Sequence, residues 1–578
     1  MPRLTQHPIQ HLLPALLLLA AANAGAAALN PTLNLCPGMT GTETGTRILD
    51  SVLRPSGASL QLLLHEGRIA DCETITLQYP PRWARLLDHA GAQRYTAGMM
   101  LQTGRGESRS SAPQDVIELD TAAAGAGPAG PALMMPGSEL LPRLQAGTFG
   151  AEGRASLRRD GDRLVLECGA GERPAGALLR GGRLSLPAAA RLALRVDAEA
   201  TAAFRIAAAD AAHDSRGDAL TLGSLDGNRH AVQLELPQSL DNRNWRSWVL
   251  ECPRNEARLT LHGLRLAAAA GSGTRSRALW VWQPQYWRQQ DVQLFELLAA
   301  QNANTVYISV PLQGEPPEVE QPAALQRFIG EASRRGLQVW AVAGDPRAVL
   351  PGERQKYAAL AEALASYNRK APPASRLAGL QLDIEPYLNP GYAHDPEGWL
   401  AAYVETLALI RPRAAMPIDV AVPFWWGGQR LRGSLFLDAL KPLVEMVTVM
   451  NYRTDAQQLM TFAEPFLSWG TANGKQIRIG LESGPIPDES LHVYRRAGSG
   501  DLWLMNIGRQ HAVLLMLDAA RANPAGISYS HSHTINRGGD QVTFQRNPEA
   551  LRKLLPQLED LWRAWPSFAG VALHGLDQ

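Results

Sequence analysis

Two acidic residues stand two positions apart in an otherwise apolar segment, Gly379-Leu-Gln-Leu-Asp-Ile-Glu385. Side chains on a β-strand alternate between its two faces, so Asp383 and Glu385 share one face with Gln381. Burying a carboxylate is costly unless it is paired or protonated, and two of them on one face therefore indicate a function. Cleavage of a glycosidic bond needs a carboxylic acid to protonate the leaving oxygen and a second group on the sugar. The segment predicts such a site.

The same alternation turns Tyr452, Glu482 and His574 toward the interior from three other strand candidates. Aromatic rings beside acidic groups suit the apolar faces of sugar rings. The catalytic candidates are Glu385, Asp383, Glu482 and Tyr452. The substrate-binding candidates are Trp282, Gln381, Trp425, Trp426, Met450, Asn451, Arg453 and His574.

The C-terminal half has a pattern of segments that would position these groups. From Arg277 onward, short apolar segments alternate with longer helical ones. The eight strand candidates are Leu279–Gln283, Thr305–Val310, Gln338–Ala343, Gly379–Glu385, Ile418–Pro423, Met446–Tyr452, Ile477–Glu482 and Gly570–His574. Repeated strand–helix units imply parallel strands, and eight of them close into a (β/α)8 TIM barrel with its catalytic groups at the carboxyl ends of the strands. An open doubly wound sheet is the alternative, but no Gly-rich phosphate loop follows the first strand.

One unit departs from this pattern. The seventh unit is long, and Leu502 to Leu517 suggests an inserted strand pair before a last helix over Pro548–Trp565. The other helix candidates are Asp291–Gln301, Pro322–Arg335, Gly352–Arg369, Trp399–Arg411 and Ala456–Asn473.

The acidic segment resembles the end of the strand-four motif DxxDxDxE of family 18 glycoside hydrolases, the chitinase-like enzymes. Met450-Asn451-Tyr452 resembles their strand-six Met-x-Tyr-Asp. The resemblance covers the barrel half only. It implies that Glu385 is the acid, that Asp383 orients the acetamido group of the substrate, and that Tyr452 supports that group.

The sequence departs from this motif at three positions. Ala378 and Gln381 stand where the family has aspartates, and Arg453 follows the tyrosine. A second resemblance, to clan A glycosidases, implies Glu385 as acid/base and Glu482 as nucleophile in a retaining mechanism. That clan usually has Asn before its acid, where this chain has Ile384. Both mechanisms stay open at this point.

Structural roles compete with these assignments. Asp383 and Glu385 could be a salt-bridged pair in a loop, Glu482 could pair with Arg453, and His574 could be a core histidine. Trp280, Trp282, Trp425 and Trp426 could each fill core. Asp345 could only turn its loop, His531 and His533 suit a surface loop better than a metal site, and Trp245 and Trp248 suit packing.

The N-terminal half has a different composition. Residues 1–28 contain an apolar run from Leu12 to Ala22 followed by small residues, which predicts a cleaved signal peptide. Residues 29–145 form a β-rich region of uncertain fold. Residues 146–270 alternate apolar and polar positions as in a β-sandwich, a possible carbohydrate-binding-like module, and residues 277–578 form the barrel domain.

All four cysteines fall in this N-terminal half, and an exported protein meets oxidising conditions. Three pairings are possible, of which Cys36–Cys72 with Cys168–Cys252 is preferred.

The bulk composition limits the partners. A net charge of +1 gives no electrostatic basis for binding nucleic acid. The sequence predicts a monomeric, periplasmic or secreted glycoside hydrolase with no cofactor, no metal and no membrane segment after signal cleavage. The substrate would be a polysaccharide or oligosaccharide. A catalytically inactive glycan-binding barrel in polysaccharide assembly or export is the alternative. A metal-dependent deacetylase or lyase is weaker, because His574 is the only histidine that the strands turn inward.

Overall fold

The computed structural model describes residues 132–576 except 183, 270–275, 290, 390–391, 393–394, 487, 508–510 and 524–526, together with five strands ahead of them. Those strands are β1 (Leu33–Asn34), β2 (Thr46–Leu53), β3 (Ser59–His65), β4 (Thr74–Tyr79) and β5 (Gln114–Asp120). The predicted signal peptide, Cys36 and Cys72 lie outside the described residues.

An antiparallel sheet of eight strands follows, in the order β7-β10-β14-β12-β15-β9-β8 with β13 added on β12. The strands of this region are β6 (Ala132–Leu133), β7 (Gln145–Gly150), β8 (Ala155–Asp160), β9 (Arg163–Cys168), β10 (Ala175–Arg180), β11 (Leu184–Ser185), β12 (Leu192–Asp210), β13 (Leu220–Glu235), β14 (Trp245–Glu251) and β15 (Ala257–Ala268), with helix α1 (Ala211–Arg216) between β12 and β13. The predicted antiparallel β structure is therefore present.

The strands form one continuous hydrogen-bonded sheet, where a β-sandwich would have two separate sheets. The long strand β12 joins them because it pairs with different neighbours along its length. It pairs with β15 as far as Ala200 and with β14 from Arg205 onward. A disulfide joins Cys168 at the end of β9 to Cys252 just after β14, with the two Cα atoms 5.8 Å apart. This is the pairing that the sequence favoured.

The C-terminal half contains a closed barrel of eight parallel strands, β16-β17-β20-β21-β22-β25-β26-β31. Its strands and their neighbours are β16 (Arg277–Val281), β17 (Thr305–Ser309), β18 (Leu312–Gln313), β19 (Glu318–Val319), β20 (Gln338–Ala343), β21 (Gly379–Leu382), β22 (Ile418–Pro423), β23 (Arg430–Leu431), β24 (Ser434–Leu435), β25 (Met446–Met450), β26 (Gln476–Glu482), β27 (Glu489–Ala497), β28 (Gly500–Ile507), β29 (His511–Arg521), β30 (Ile527–Arg537) and β31 (Phe568–His574). All eight predicted barrel strands are found, which confirms a closed parallel barrel.

Helices fill the connections between these strands. They are α2 (Gln285–Arg288), α3 (Asp291–Ala300), α4 (Pro322–Arg334), α5 (Pro351–Lys370), α6 (Pro396–Ala414), α7 (Phe436–Leu440), α8 (Ala456–Asn473) and α9 (Pro548–Trp562). Apolar side chains of the strands pack under them, and Leu380, Leu382 and Ile384 are fully buried on that side, as strand alternation predicts.

Two predicted elements differ from the structure. The insertion after β26 holds four strands, β27 to β30, where the sequence suggested one pair within Leu502–Leu517, and β27 also pairs with β5. Strand β21 ends at Leu382 and not at Glu385. It ends early because Pro386 lacks an N–H and opens a 3-10 turn over Pro386–Leu388, which the Glu385 carbonyl closes by accepting the Leu388 N–H at 3.0 Å.

The barrel and the sheet share one apolar cluster. Leu264 and Leu266 of β15 belong to the same cluster as Leu558 and Trp562 of α9. A backbone hydrogen bond of 2.6 Å from Arg191 to Ala564 joins the two regions. Within the described part of the chain, no helix combines the length and apolar character needed to cross a membrane.

Candidate active site

The candidate site lies at one rim of the barrel. Because all eight strands are parallel, their carboxyl ends meet at the same rim. Trp282 follows β16, Asp383 and Glu385 follow β21, and Tyr452 follows β25. Glu482 and His574 are the last residues of β26 and β31. The structure therefore brings the four catalytic candidates, and two substrate-binding candidates, to one end of the fold.

Glu385 is half-buried at this rim and bound by a neutral group. The Tyr387 hydroxyl donates a hydrogen bond to Glu385 Oε1. The Tyr387 ring meets the Trp425 ring edge-on, with 5.1 Å between the centroids. Trp425 is 45% exposed, which is unusual for an indole of a folded protein. An acid thus lies one side chain away from an open aromatic surface.

Asp383 is also half-buried, and its backbone closes against the neighbouring loop. The Asp383 N–H donates to the Ala343 carbonyl at 2.9 Å. A Cβ placed on Gly344 would lie 2.1 Å from the Asp383 carbonyl oxygen, so only glycine fits at this approach. Burial raises the pKa of Tyr357, and the negative charges of Asp345 and Asp383 raise it further. The Asp383 carboxylate therefore acts electrostatically on a side chain of helix α5.

The opposite side of the same rim carries a chain of polar contacts. Both carboxylate oxygens of Glu482 lie near His574 Nδ1, at 3.1 and 2.9 Å, and Glu482 is 1% exposed. His574 Nε2 accepts from the Trp282 indole N–H at 3.0 Å. The Tyr452 ring stacks on the His574 imidazole with centroids 6.1 Å apart. These four predicted residues are in contact through His574, which is a partner of Glu482.

A polar layer that the sequence analysis did not identify lies deeper in the barrel. Asp419 Oδ2 accepts hydrogen bonds of 2.7 Å from Tyr307, Gln381 and Thr448. The guanidinium of Arg478 contacts the Tyr307 hydroxyl. Burial raises the pKa of the Tyr307 hydroxyl far above its ordinary value. Asp419 and Arg478 each stand between apolar residues on a predicted strand, so the alternation of side chains was the signal that could have found them.

Three predicted substrate-binding residues are buried and belong to this protein interior. Gln381 is in the Asp419 layer and also accepts from the Trp280 indole. Trp426 is fully buried between Tyr403 and Phe436. Asn451 is fully buried too, and its amide donates to the Leu459 carbonyl at 2.8 Å. Burial removes all three from contact with a ligand, which corrects the prediction.

Two further candidates pack beside the rim. Met450 is buried, with 6% of its surface exposed. The Arg453 guanidinium lies over the Phe424 ring, 4.5 Å from its centroid, and donates to the Tyr452 carbonyl at 2.7 Å. Arg453 therefore holds the loop after β25 against the loop after β22 through a cation–π contact.

Some residues have the structural roles that the sequence analysis set against functional ones. Asp345 accepts from the Arg347 N–H at 2.7 Å and pairs with its guanidinium, so it shapes the loop after β20. Trp245 and Trp248 are buried against each other. His531 and His533 are exposed, but they lie in strand β30 and not in the predicted surface loop. Among the described residues, no group of three or more His, Cys, Asp or Glu side chains could hold a metal ion.

No protein-family model matches the chain, and no curated protein matches it. Solved structures similar to it include the CBM22-1 and GH10 modules of the Clostridium thermocellum endo-1,4-β-D-xylanase 10B complexed with xylohexaose, at 7% identity over 74% of this chain and 88% of that chain, with a TM-score of 0.29. Another is a mutant of the family 29 carbohydrate-binding module CBM29-2 complexed with mannohexaose, at 12% identity over 23% of this chain and 88% of that chain, with a TM-score of 0.18. TM-scores this low establish neither a shared fold nor a shared function.

Proposed function

We propose that the chain is an exported glycoside hydrolase with a (β/α)8 TIM barrel and Glu385 as the general acid. One observation carries the proposal: a half-buried carboxyl group lies at the carboxyl-end rim, bound by a neutral hydroxyl and beside an exposed indole. The Tyr387 hydroxyl fixes the Glu385 carboxyl group at the rim. A carboxylic acid held there is the group that the leaving oxygen of a glycoside requires as its proton donor.

The aromatic groups supply the binding surface. The exposed Trp425 ring lies edge-on to Tyr387, whose hydroxyl reaches Glu385. A sugar ring stacked on Trp425 would cover an apolar surface that is otherwise in water, and it would hold the glycosidic oxygen beside the acid. The chain's near-zero net charge fits a neutral saccharide. The disulfide between Cys168 and Cys252 supports an oxidising compartment outside the cytoplasm.

Asp383 is the second acidic group in this proposal. It lies two residues before Glu385, is half-buried at the same rim, and is fixed by its backbone hydrogen bond to Ala343. A carboxylate there can stabilise the positive charge that develops on the sugar ring as the bond breaks. This role differs from the one that the chitinase-like motif implies, in which Asp383 orients the acetamido group of the substrate, and it needs no contribution from the missing motif aspartates.

The test is hydrolysis by Glu385→Gln. We expect the release of reducing ends from a panel of neutral polysaccharides to fall by about 100- to 10,000-fold, because the amide cannot donate the proton that general acid catalysis needs. Glu362→Gln is the matched control, since it makes the same change on the exposed face of helix α5. Equal activity of the Glu385→Gln and wild-type chains would show that Glu385 is not the acid.

A carbohydrate-binding protein without hydrolytic activity is the second candidate, and the burial of Glu482 favours it. Besides Glu385 and Asp383, Glu482 is the acidic candidate at this rim, and at 1% exposure it has little access to a substrate. Affinity electrophoresis in gels that contain the same polysaccharides separates the two functions. Retardation without release of reducing ends would identify a binding protein. Loss of retardation in Trp425→Ala would place its ligand at this rim.

A further inference from the structure

The contact between Glu482, His574 and Trp282 has a defined direction. An indole N–H only donates, so His574 Nε2 accepts from Trp282 at 3.0 Å. The imidazole proton therefore lies on Nδ1 and is donated to the Glu482 carboxylate, whose nearer oxygen is 2.9 Å away. Glu482 thus selects the tautomer of His574 that can accept from Trp282.

Backbone atoms of two loops close over Glu482. The Gly484 N–H donates to Glu482 Oε1 at 2.8 Å. Gly575 has φ of +76°, and a Cβ on it would lie 2.2 Å from Gly484 N and 2.8 Å from Glu482 Oε1. A nucleophilic carboxylate must come within roughly 3 to 3.5 Å of the anomeric carbon. The covered position of Glu482 does not offer that approach.

Trp282, at the outer end of this chain of contacts, reaches solvent. Trp282 is half-buried at the rim, whereas Glu482 is buried. The His574 ring between them is held by stacking on Tyr452 and by an edge-on contact with Trp280, whose centroid is 5.7 Å away. A fixed imidazole that accepts the indole N–H determines which way the Trp282 ring faces.

We propose that Glu482 is a positioning residue, which through His574 holds the Trp282 indole as a second sugar-stacking surface across the rim from Trp425. The proposal rests on the proposed function for the identity of the ligand. It assigns to Glu482 a role in substrate binding, in place of the nucleophile role that the clan A resemblance implies. It also accounts for a buried carboxylate beside the candidate site.

The first measurement reads the position of Trp282 without any substrate. The indole N–H resonance of Trp282 is assigned in the full chain as the signal that Trp282→Phe removes. Glu482→Ala should shift this resonance, because His574 loses the group that fixes its tautomer, and Glu482→Gln should shift it less, because the amide oxygen still accepts from Nδ1. A resonance that stays in place in Glu482→Ala would overturn the proposal, provided that the variant keeps the wild-type circular dichroism spectrum.

The second measurement separates positioning from nucleophilic catalysis. With an aryl glycoside of the sugar that the wild-type chain hydrolyses, Glu482→Gln should keep kcat within about 10-fold and raise KM by a similar factor. Glu482→Ala should form no glycosyl azide when azide is added. Restored turnover with a glycosyl azide product, or a loss of more than about 1,000-fold in kcat for Glu482→Gln, would identify Glu482 as the nucleophile and overturn the proposal.

The two proposals fail in different ways. If the wild-type chain neither hydrolyses nor binds any saccharide, the proposed function is wrong. The indole resonance then still decides whether Glu482 positions Trp282, because that reading depends on the folded chain alone.

Discussion

At the scale of single residues, the adjacent tryptophans Trp425 and Trp426 have opposite environments. Trp425 is 45% exposed beside Tyr387, and Trp426 is fully buried against Tyr403 and Phe436. Both lie in a 3-10 turn over Phe424–Gly428, past the end of β22. The difference decides which of them can contact a ligand.

Their alanine variants should therefore have opposite effects. Trp425→Ala should weaken binding of a neutral oligosaccharide by about 5- to 10-fold, because a stacked ring is lost, and leave the melting temperature nearly unchanged. Trp426→Ala should lower the free energy of unfolding by about 3 to 5 kcal/mol, because it opens a cavity in the core. Titration calorimetry and thermal melts check the pair, and each variant is the control for the other. A Trp425→Ala chain that melts well below wild type would contradict the surface assignment.

Sequence reasoning at this scale worked where side chains alternate on a strand and failed where a strand had ended. Alternation correctly turned Glu482 and His574 inward from β26 and β31. It could not assign Trp425 and Trp426, because a turn has no two-residue period. Nor could it tell the depth of Gln381, which shares a face with Asp383 but lies below the rim, bound to Asp419.

At the scale of elements, the loops after β20 and β21 touch through backbone atoms. Gly344 follows β20, and its lack of a side chain lets the Asp383 carbonyl come close. The position of the acidic segment thus depends on a glycine in another loop. The eight strands were predictable because each is an apolar segment between helices. The early end of β21 was not predictable, because the apolar pattern continues past Leu382 although the strand pairing stops there, ahead of the turn that begins at Pro386.

The contact predicts a stability and activity effect for Gly344→Ala. A Cβ 2.1 Å from the Asp383 carbonyl oxygen forces one of the two loops to move, at a cost of about 1 to 3 kcal/mol. The rate of hydrolysis should fall as well, because the moved loop shifts Asp383 relative to the substrate. Gly352→Ala is the control, since the added Cβ meets nothing within 4 Å at the start of helix α5. Urea unfolding and the reducing-end assay measure both effects, and equal curves for the two variants would contradict the close approach.

At the scale of the whole molecule, the antiparallel sheet and the barrel are packed on one apolar cluster. Side chains of β15 and α9 belong to it, and the Arg277 guanidinium of β16 pairs with the buried Glu559 of α9 at 2.8 Å. The only disulfide that the described residues contain, Cys168–Cys252, lies in the sheet. The continuity of the core predicts that the two regions unfold together.

Removal of that disulfide should therefore destabilise the barrel as well. The Cys168→Ala, Cys252→Ala double variant loses a cross-link between positions 84 residues apart, which constrains the unfolded chain by up to about 4 kcal/mol. Calorimetry should show one transition, moved to lower temperature. Two separate transitions, with the barrel signal of the tryptophans melting at its original temperature, would show that the sheet and the barrel are thermodynamically independent.

The depth at which the polar groups of the barrel lie has a consequence for how this chain can change. Inside the barrel Thr448 and Tyr307 donate to Asp419, and Arg478 contacts the Tyr307 hydroxyl, while the acidic and aromatic candidates follow the strands at the rim. Substitutions in the rim loops leave that interior network intact. Loop libraries confined to the exposed positions after β21, β22 and β25, with the buried Trp426 kept, can therefore explore new saccharide preferences without disturbing that network.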